Sequence, residues 1–126
     1  MSKILEGLKY SKDHEWVRIE GTAAVVGITD YAQDSLGEVV FVELPEVGSS
    51  FEAGESACDI ESVKAASEVL CPVSGTVCAV NETLSDSPEL LNDDCYGTFI
   101  FKLEDISEPD DLMDAAQYGS YLETLK

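Results

Sequence analysis

Positive charge is nearly missing from this chain. Against 26 Asp plus Glu there are 7 Lys plus Arg, a formal net charge of −19 over 126 residues. A phosphate backbone is repelled by such a field, because nucleic-acid binding rests on clustered lysine and arginine, and anionic lipid is disfavoured for the same reason. Histidine occurs once, as His14. Cys58, Cys71, Cys78 and Cys95 contain no CxxC pair and no spacing of the zinc-site kind, so no metal site is expected. Three of these cysteines are expected to be small core hydrophobes, with Cys95, in the polar stretch 92–97, as the exposed one. No apolar run reaches the length of a membrane span, and residues 1–7 lack the apolar core of a secretory signal. A cytoplasmic monomer is therefore expected, kept soluble by self-repulsion and steered toward basic patches on partner proteins.

What is present reads as short strands punctuated by glycine and proline. Residues 16–20 and 22–26 flank Gly21 as a hairpin. Thr29 predicts an N-cap for a helix over 30–36 that stops at Gly37. Further strands are predicted over 38–43, 56–60, 68–71, 76–80 and 98–103, with 72–75 (Pro-Val-Ser-Gly) as a turn and one helical turn after Pro88. The tail predicts a capped, acid-rich helix start at Ser107 and a helix over 114–125 that packs back on the sheets. The pattern is mainly β, a sandwich or flattened barrel in a single domain over 1–126.

Between Arg18 and Lys102 the only cationic side chain is Lys64, in Glu61-Ser62-Val63-Lys64-Ala65-Ala66-Ser67, at a turn between two predicted strands. Three roles compete for it. It is a surface lysine neutralised by Glu61 and Glu68, a Schiff-base nucleophile, or the attachment point of an acyl cofactor. The second needs a depressed pKa, which neighbouring carboxylates oppose. The third uses its exposure and the small residues around it: an amide there removes the charge and mounts a long chain on a flexible stem, which brings a tethered group to partner sites at high effective concentration.

The segments His14-Glu15-Trp16-Val17, Gly27-Ile28-Thr29-Asp30, Leu36-Gly37-Glu38-Val39-Val40-Phe41-Val42-Glu43-Leu44-Pro45, Glu61-Ser62-Val63-Lys64-Ala65, Pro72-Val73-Ser74-Gly75-Thr76-Val77 and Ser87-Pro88-Glu89-Leu90-Leu91-Asn92 follow in that order. In this arrangement the chain resembles the H proteins of the glycine cleavage system. The resemblance implies a lipoyl/biotinyl-type hybrid barrel-sandwich of two small antiparallel sheets with short helices, a core over 10–104 and a C-terminal helical extension over 107–126. It implies lipoic acid in amide linkage to Lys64, with Glu61, Ser62, Val63 and Ala65 read by the attaching enzyme. It also implies a carrier without catalysis of its own. Its partners are then a pyridoxal-phosphate glycine decarboxylase, a tetrahydrofolate-dependent aminomethyltransferase, dihydrolipoamide dehydrogenase and the lipoate-attaching enzymes.

By the same resemblance, Glu15 and Glu68 fall at acidic positions of a cleft that shelters the loaded arm, with Asp13 beside them. Two departures stand out: Ser35 lies where relatives often carry histidine, and the stretch 94–100 has Cys95 in place of a usual proline and lacks a Gly-Trp pair. Alternatives are an H-like lipoate carrier serving another route and a redox protein working through its own cysteines. A biotin carrier lacks support, since the Met-Lys-Met type of turn is absent. His14 reads as a residue packed beside Trp16, without an evident partner for acid–base work.

Overall fold

The computed structural model describes residues 3–125. Nine strands and four short helices follow one another: β1 Lys9–Tyr10, β2 Glu15–Glu20, β3 Ala23–Ile28, α1 Asp30–Leu36, β4 Val39–Glu43, β5 Ser50–Phe51, β6 Ser56–Ser62, β7 Ala66–Leu70, β8 Ser74–Val80, α2 Thr83–Asp86, α3 Leu90–Asp93, β9 Phe101–Ser107 and α4 Ala115–Glu123. They form a six-stranded sheet in the order β1-β2-β3-β9-β8-β5 and a three-stranded sheet in the order β4-β6-β7, with every pairing antiparallel. The mainly β, two-sheet architecture expected from the sequence is the one observed.

The core lies between the sheets. Val17, Val26 and Leu103 from the larger sheet meet Val42, Ile60 and Val69 from the smaller one, all fully or almost fully buried. Alternation along β6 explains the division: Cys58 and Ile60 point inward while Asp59 and Glu61 point to solvent. A second cluster joins Tyr10, Trp16 and Val25 to Tyr118 and Leu122 of α4. Trp16 lies so close over Gly27 that a Cβ there would stand 2.5 Å from its ring, and its indole N–H donates to the Cys95 carbonyl at 3.0 Å.

Several local expectations are corrected. The last strand runs Phe101–Ser107 and not 98–103, because β8 supplies partners as far as Ser107, and Asp105 in the left-handed region (φ 51°) carries the chain through a bulge. Ser107 is therefore a strand end, not a helix cap. The chain beyond it bridges back to β1 through Tyr10 and Met113. The helix start lies at Asp114, whose side chain forms a capping box with Gln117. Ser74 and Gly75 already belong to β8, which narrows the expected 72–75 turn. Cys95 is buried (7% exposed) and Cys78 is the exposed cysteine. The polar neighbours of Cys95 misled, because its carbonyl is held by the buried indole of Trp16.

Across the solvent face of the small sheet the register aligns Glu43, Asp59 and Glu68 in one row of three carboxylates, all exposed. Like charges directly opposite each other on a sheet repel. Asp59→Lys is thus expected to raise stability by about 0.5–1 kcal/mol at low salt, with the gain shrinking as salt screens it; urea midpoints at two ionic strengths measure both.

Candidate functional site

Lys64 stands exposed on the tight turn that joins β6 to β7. Ser62 builds that turn. Its N–H donates to the Ala65 carbonyl at 2.8 Å, and its hydroxyl accepts from the N–H groups of Lys64 (3.2 Å) and Ala65 (3.1 Å). The turn is then pinned from below, where the Val63 N–H donates to the Glu38 carbonyl at 3.0 Å. Asn92 holds this shelf in place by accepting from the Val39 N–H (2.8 Å) and donating to the Gly37 carbonyl (2.8 Å) and the Gln33 side chain (3.1 Å). Gly37 is required by its backbone conformation. It ends α1 in the left-handed region (φ 76°), and the flexible Lys64 stem passes over it, with Cε 2.8 Å from where a Cβ would stand. Among the described residues Lys64 makes no ion pair, so Glu61 and Glu68 do not clamp it.

From the turn a groove of about 260 Å³ runs between α1 and β7 toward the loop before β2. Ile28, Ala32, Leu36, Ile60 and Val69 make its apolar part, Ala65, Ala66 and Ser67 its lysine end, and Asp13, His14, Glu15 and Glu68 its polar part. Asp13 and Glu68 are exposed, whereas Glu15 is 2% exposed. The Glu15 carboxylate accepts from the Ser11 hydroxyl at 2.6 Å and the Leu70 N–H at 3.3 Å. Those bonds do not offset its burial, which pushes its pKa up to about 7 with the nearby Asp13 charge adding to the rise. A larger cavity of about 650 Å³ lies between the N-terminal segment, α1 and α4, but it shares only Tyr31 with the groove and touches no residue of the lysine turn.

The three acids singled out in the sequence thus come together, and Ser35 lies in the same wall. The stretch 94–100 does not reach the groove, so its departures belong to the packing under Trp16. His14 is packed, but among tyrosines and not beside Trp16: its ring lies 4.4 Å from that of Tyr31, and its Nδ1 is 2.9 Å from the Tyr118 hydroxyl. Tyr118, expected to serve only packing, reaches the groove wall through that bond. No spacing in the sequence links positions 14 and 118; α4 brings them together by stacking Tyr118 on Tyr10 at 4.6 Å. Among the described residues no cluster of His, Cys, Asp and Glu could hold a metal ion, and no helix is long and apolar enough to cross a membrane.

Residues 8–125 match the family described as glycine cleavage H-protein. The chain belongs to that family. It is 54% identical to a probable glycine cleavage system H protein of Pyrococcus horikoshii over 127 residues, covering 98% of this chain and 95% of the relative. It is 52% identical to a glycine cleavage system H protein of Thermoanaerobacter sp. over 123 residues, 96% and 98% of the two chains. The crystal structure of a glycine cleavage system H protein from Mycobacterium marinum superposes with a TM-score of 0.89 at 35% identity, covering 95% of this chain and 99% of that one. H proteins are carriers, not enzymes, and the chain is a carrier protein by that membership.

The placement of Glu15 has a consequence for stability in an H protein. With a pKa near 7 when folded and an ordinary value of 4.5, the native state retains a proton that the unfolded chain has already released across that window. Stability is lost where the native state binds the extra proton and pH rises, so the penalty is absent below about pH 4.5 and complete above about pH 7. Glu15→Gln is expected to abolish this component, so that its stability relative to the parent is higher at pH 8 than at pH 4 by on the order of 3 kcal/mol. Denaturant unfolding of both proteins across that range measures it.

Proposed function

We propose that this chain carries a lipoyl group in amide linkage to Lys64 and shuttles the aminomethyl group of glycine between the enzymes of glycine cleavage. The observation that carries this reading is the continuity of the site. An exposed lysine stands on a rigid turn, and the groove that starts at the next residue ends at a buried carboxylate. When bound, the lipoyl group would supply a disulfide that is reduced on taking up the aminomethyl group and, once that group has been given on, needs two-electron reoxidation by dihydrolipoamide dehydrogenase.

The residues fit such a group. The groove volume lies below the roughly 300–1,000 Å³ of sites for drug-sized ligands, which suits a slender chain, and its middle is apolar. Amide formation at Lys64 Nζ removes the positive charge as the amine loses protons and the acyl donor loses its leaving group. Gly37 leaves room for the stem to lie down toward the groove. At the far end, Glu15, Glu68 and Asp13 suit a primary ammonium. Ionised Glu15 is costly when alone, and a cation beside it relieves that cost, because attraction strengthens where water is excluded. An amine held as ammonium has no lone pair with which to expel its neighbour, so the acids protect the cargo from loss to water.

Around the lysine, Val63 is 65% exposed and Val40 and Phe41 are each 48% exposed. The bulge in β4 at this point turns two consecutive apolar side chains outward next to Glu61. Together with Ser62 and Ala65 they give the lipoate-attaching enzymes an apolar contact, and the row of acids gives basic patches on the decarboxylase, the aminomethyltransferase and dihydrolipoamide dehydrogenase a complementary field.

Intact mass and peptide mapping of natively expressed protein are expected to show one lipoyl adduct at Lys64 and none in Lys64→Arg. The lipoylated protein is expected to support glycine–bicarbonate exchange with a glycine decarboxylase; a lipoylated protein inactive in that exchange would place the carrier on another route. Replacing Glu15 and Glu68 together by glutamine is expected to speed release of the aminomethyl group from the isolated loaded protein roughly tenfold, the equivalent of one pKa unit of lost ion pairing; an unchanged release rate rules out a sheltering role for the two acids.

A further inference from the structure

His14 is the chain's single histidine and lines the groove, yet its backbone is in the left-handed region at φ 69°, a conformation that favours glycine. The turn that holds it is tied at each side, with the His14 N–H donating to the Ser11 carbonyl at 3.2 Å and the Thr29 N–H donating to the His14 carbonyl at 3.0 Å. A strained residue held by several bonds points to a use for its side chain.

The hydrogens around that side chain can be assigned by elimination. His14 Nδ1, the Tyr118 hydroxyl and the Thr29 hydroxyl form a line, at 2.9 and 2.8 Å, and both Tyr118 and Thr29 are fully buried. Thr29 Oγ1 already accepts from the Ala32 N–H as the N-cap of α1. Among the described residues its own hydrogen has one acceptor, the Tyr118 oxygen. The Tyr118 hydrogen must then point at His14 Nδ1. That nitrogen is an acceptor, so the neutral ring carries its proton on Nε2. Protonating the ring would place a second hydrogen between Nδ1 and Tyr118. Reversing both hydroxyls would leave the Thr29 hydrogen buried without an acceptor, which is unfavourable.

The ring lies against Tyr31 on α1 and Tyr118 and Tyr121 on α4, with Asp13 as the charged neighbour on its own turn; Glu15 on β2 and Glu68 on β7 line the same groove. Burial lowers the His14 pKa, with Asp13 pulling the other way.

We propose that His14 is a positioning residue of the groove: the Thr29–Tyr118 relay holds its imidazole neutral, with Nε2–H as the donor, so that the acids there face a cationic amine without a competing positive charge. This deepens the reading of the groove as the shelter of a lipoyl arm and rests on it.

Nitrogen-15 NMR of the unmodified protein, where one imidazole makes the signal unambiguous, is expected to show the Nε2–H tautomer and a titration below pH 6.5. Tyr118→Phe, which keeps the stacking on Tyr10, is expected to raise the His14 pKa and release the tautomer preference. In the loaded protein the same variant should lose its aminomethyl group roughly three- to tenfold faster than the parent at about pH 5.5 and at an equal rate at about pH 8, because only the protonated ring repels the amine. An Nδ1–H tautomer in the parent protein overturns the relay, whether or not the variant folds; so does a Tyr118→Phe release rate that differs equally at both pH values. Absence of a lipoyl adduct at Lys64 would instead overturn the carrier reading and leave the tautomer result standing.

Discussion

The site depends on holding a flexible side chain on an inflexible support. On the proposed reading a modifying enzyme needs Lys64 to project, yet a projecting β-turn frays unless its backbone groups are satisfied. Ser62 closes the turn from within, and the Val63 N–H to Glu38 carbonyl bond fastens it to the segment after α1. That segment is in turn held by Asn92, which serves three partners from another helix. The backbone hydrogen bonds thus reach as far as the lysine turn and leave the side chain exposed, the division that the proposed carrier arm needs.

The same economy governs charge. A chain with so many acids could have placed all of them in water, and most are there. Glu15 is the exception: it is buried between the sheet edge and the lysine hairpin, with a serine hydroxyl and a backbone N–H as its partners. Its raised pKa shows that the site is under-compensated for an ionised carboxylate. A carrier whose cargo is an amine can turn that deficit into affinity, because the cation supplies what the fold leaves out. In the proposed relay, a neutral imidazole in the same groove preserves the asymmetry.

Legibility in the sequence followed the range of the interactions. The β2–β3 hairpin and the helix from Thr29 to Gly37 were readable because caps, turns and alternation act over a few residues. The fold class followed from the same signals, and the family from motifs in a fixed order. The end of β9 was not readable, because Asp105 and its neighbours look unlike a strand until β8 provides partners. Cys95 misled for the same reason: its burial depends on Trp16, far away in the chain.

Read alone, the amino-acid order determined where the lone central lysine stands, that it lies between strands, and which acids flank the site. The lysine's place depends on local spacing and on charge, which are written in the chain directly, while the acids of the groove came from the likeness of its motifs to those of the H proteins. Only the tertiary structure decided that Glu15 is buried while Asp13 and Glu68 remain in water, and that His14 meets Tyr118 and Thr29. Those facts come from packing α1, α4 and the small sheet around one groove, and desolvation is a property of the assembled surroundings, not of any residue's neighbours in sequence.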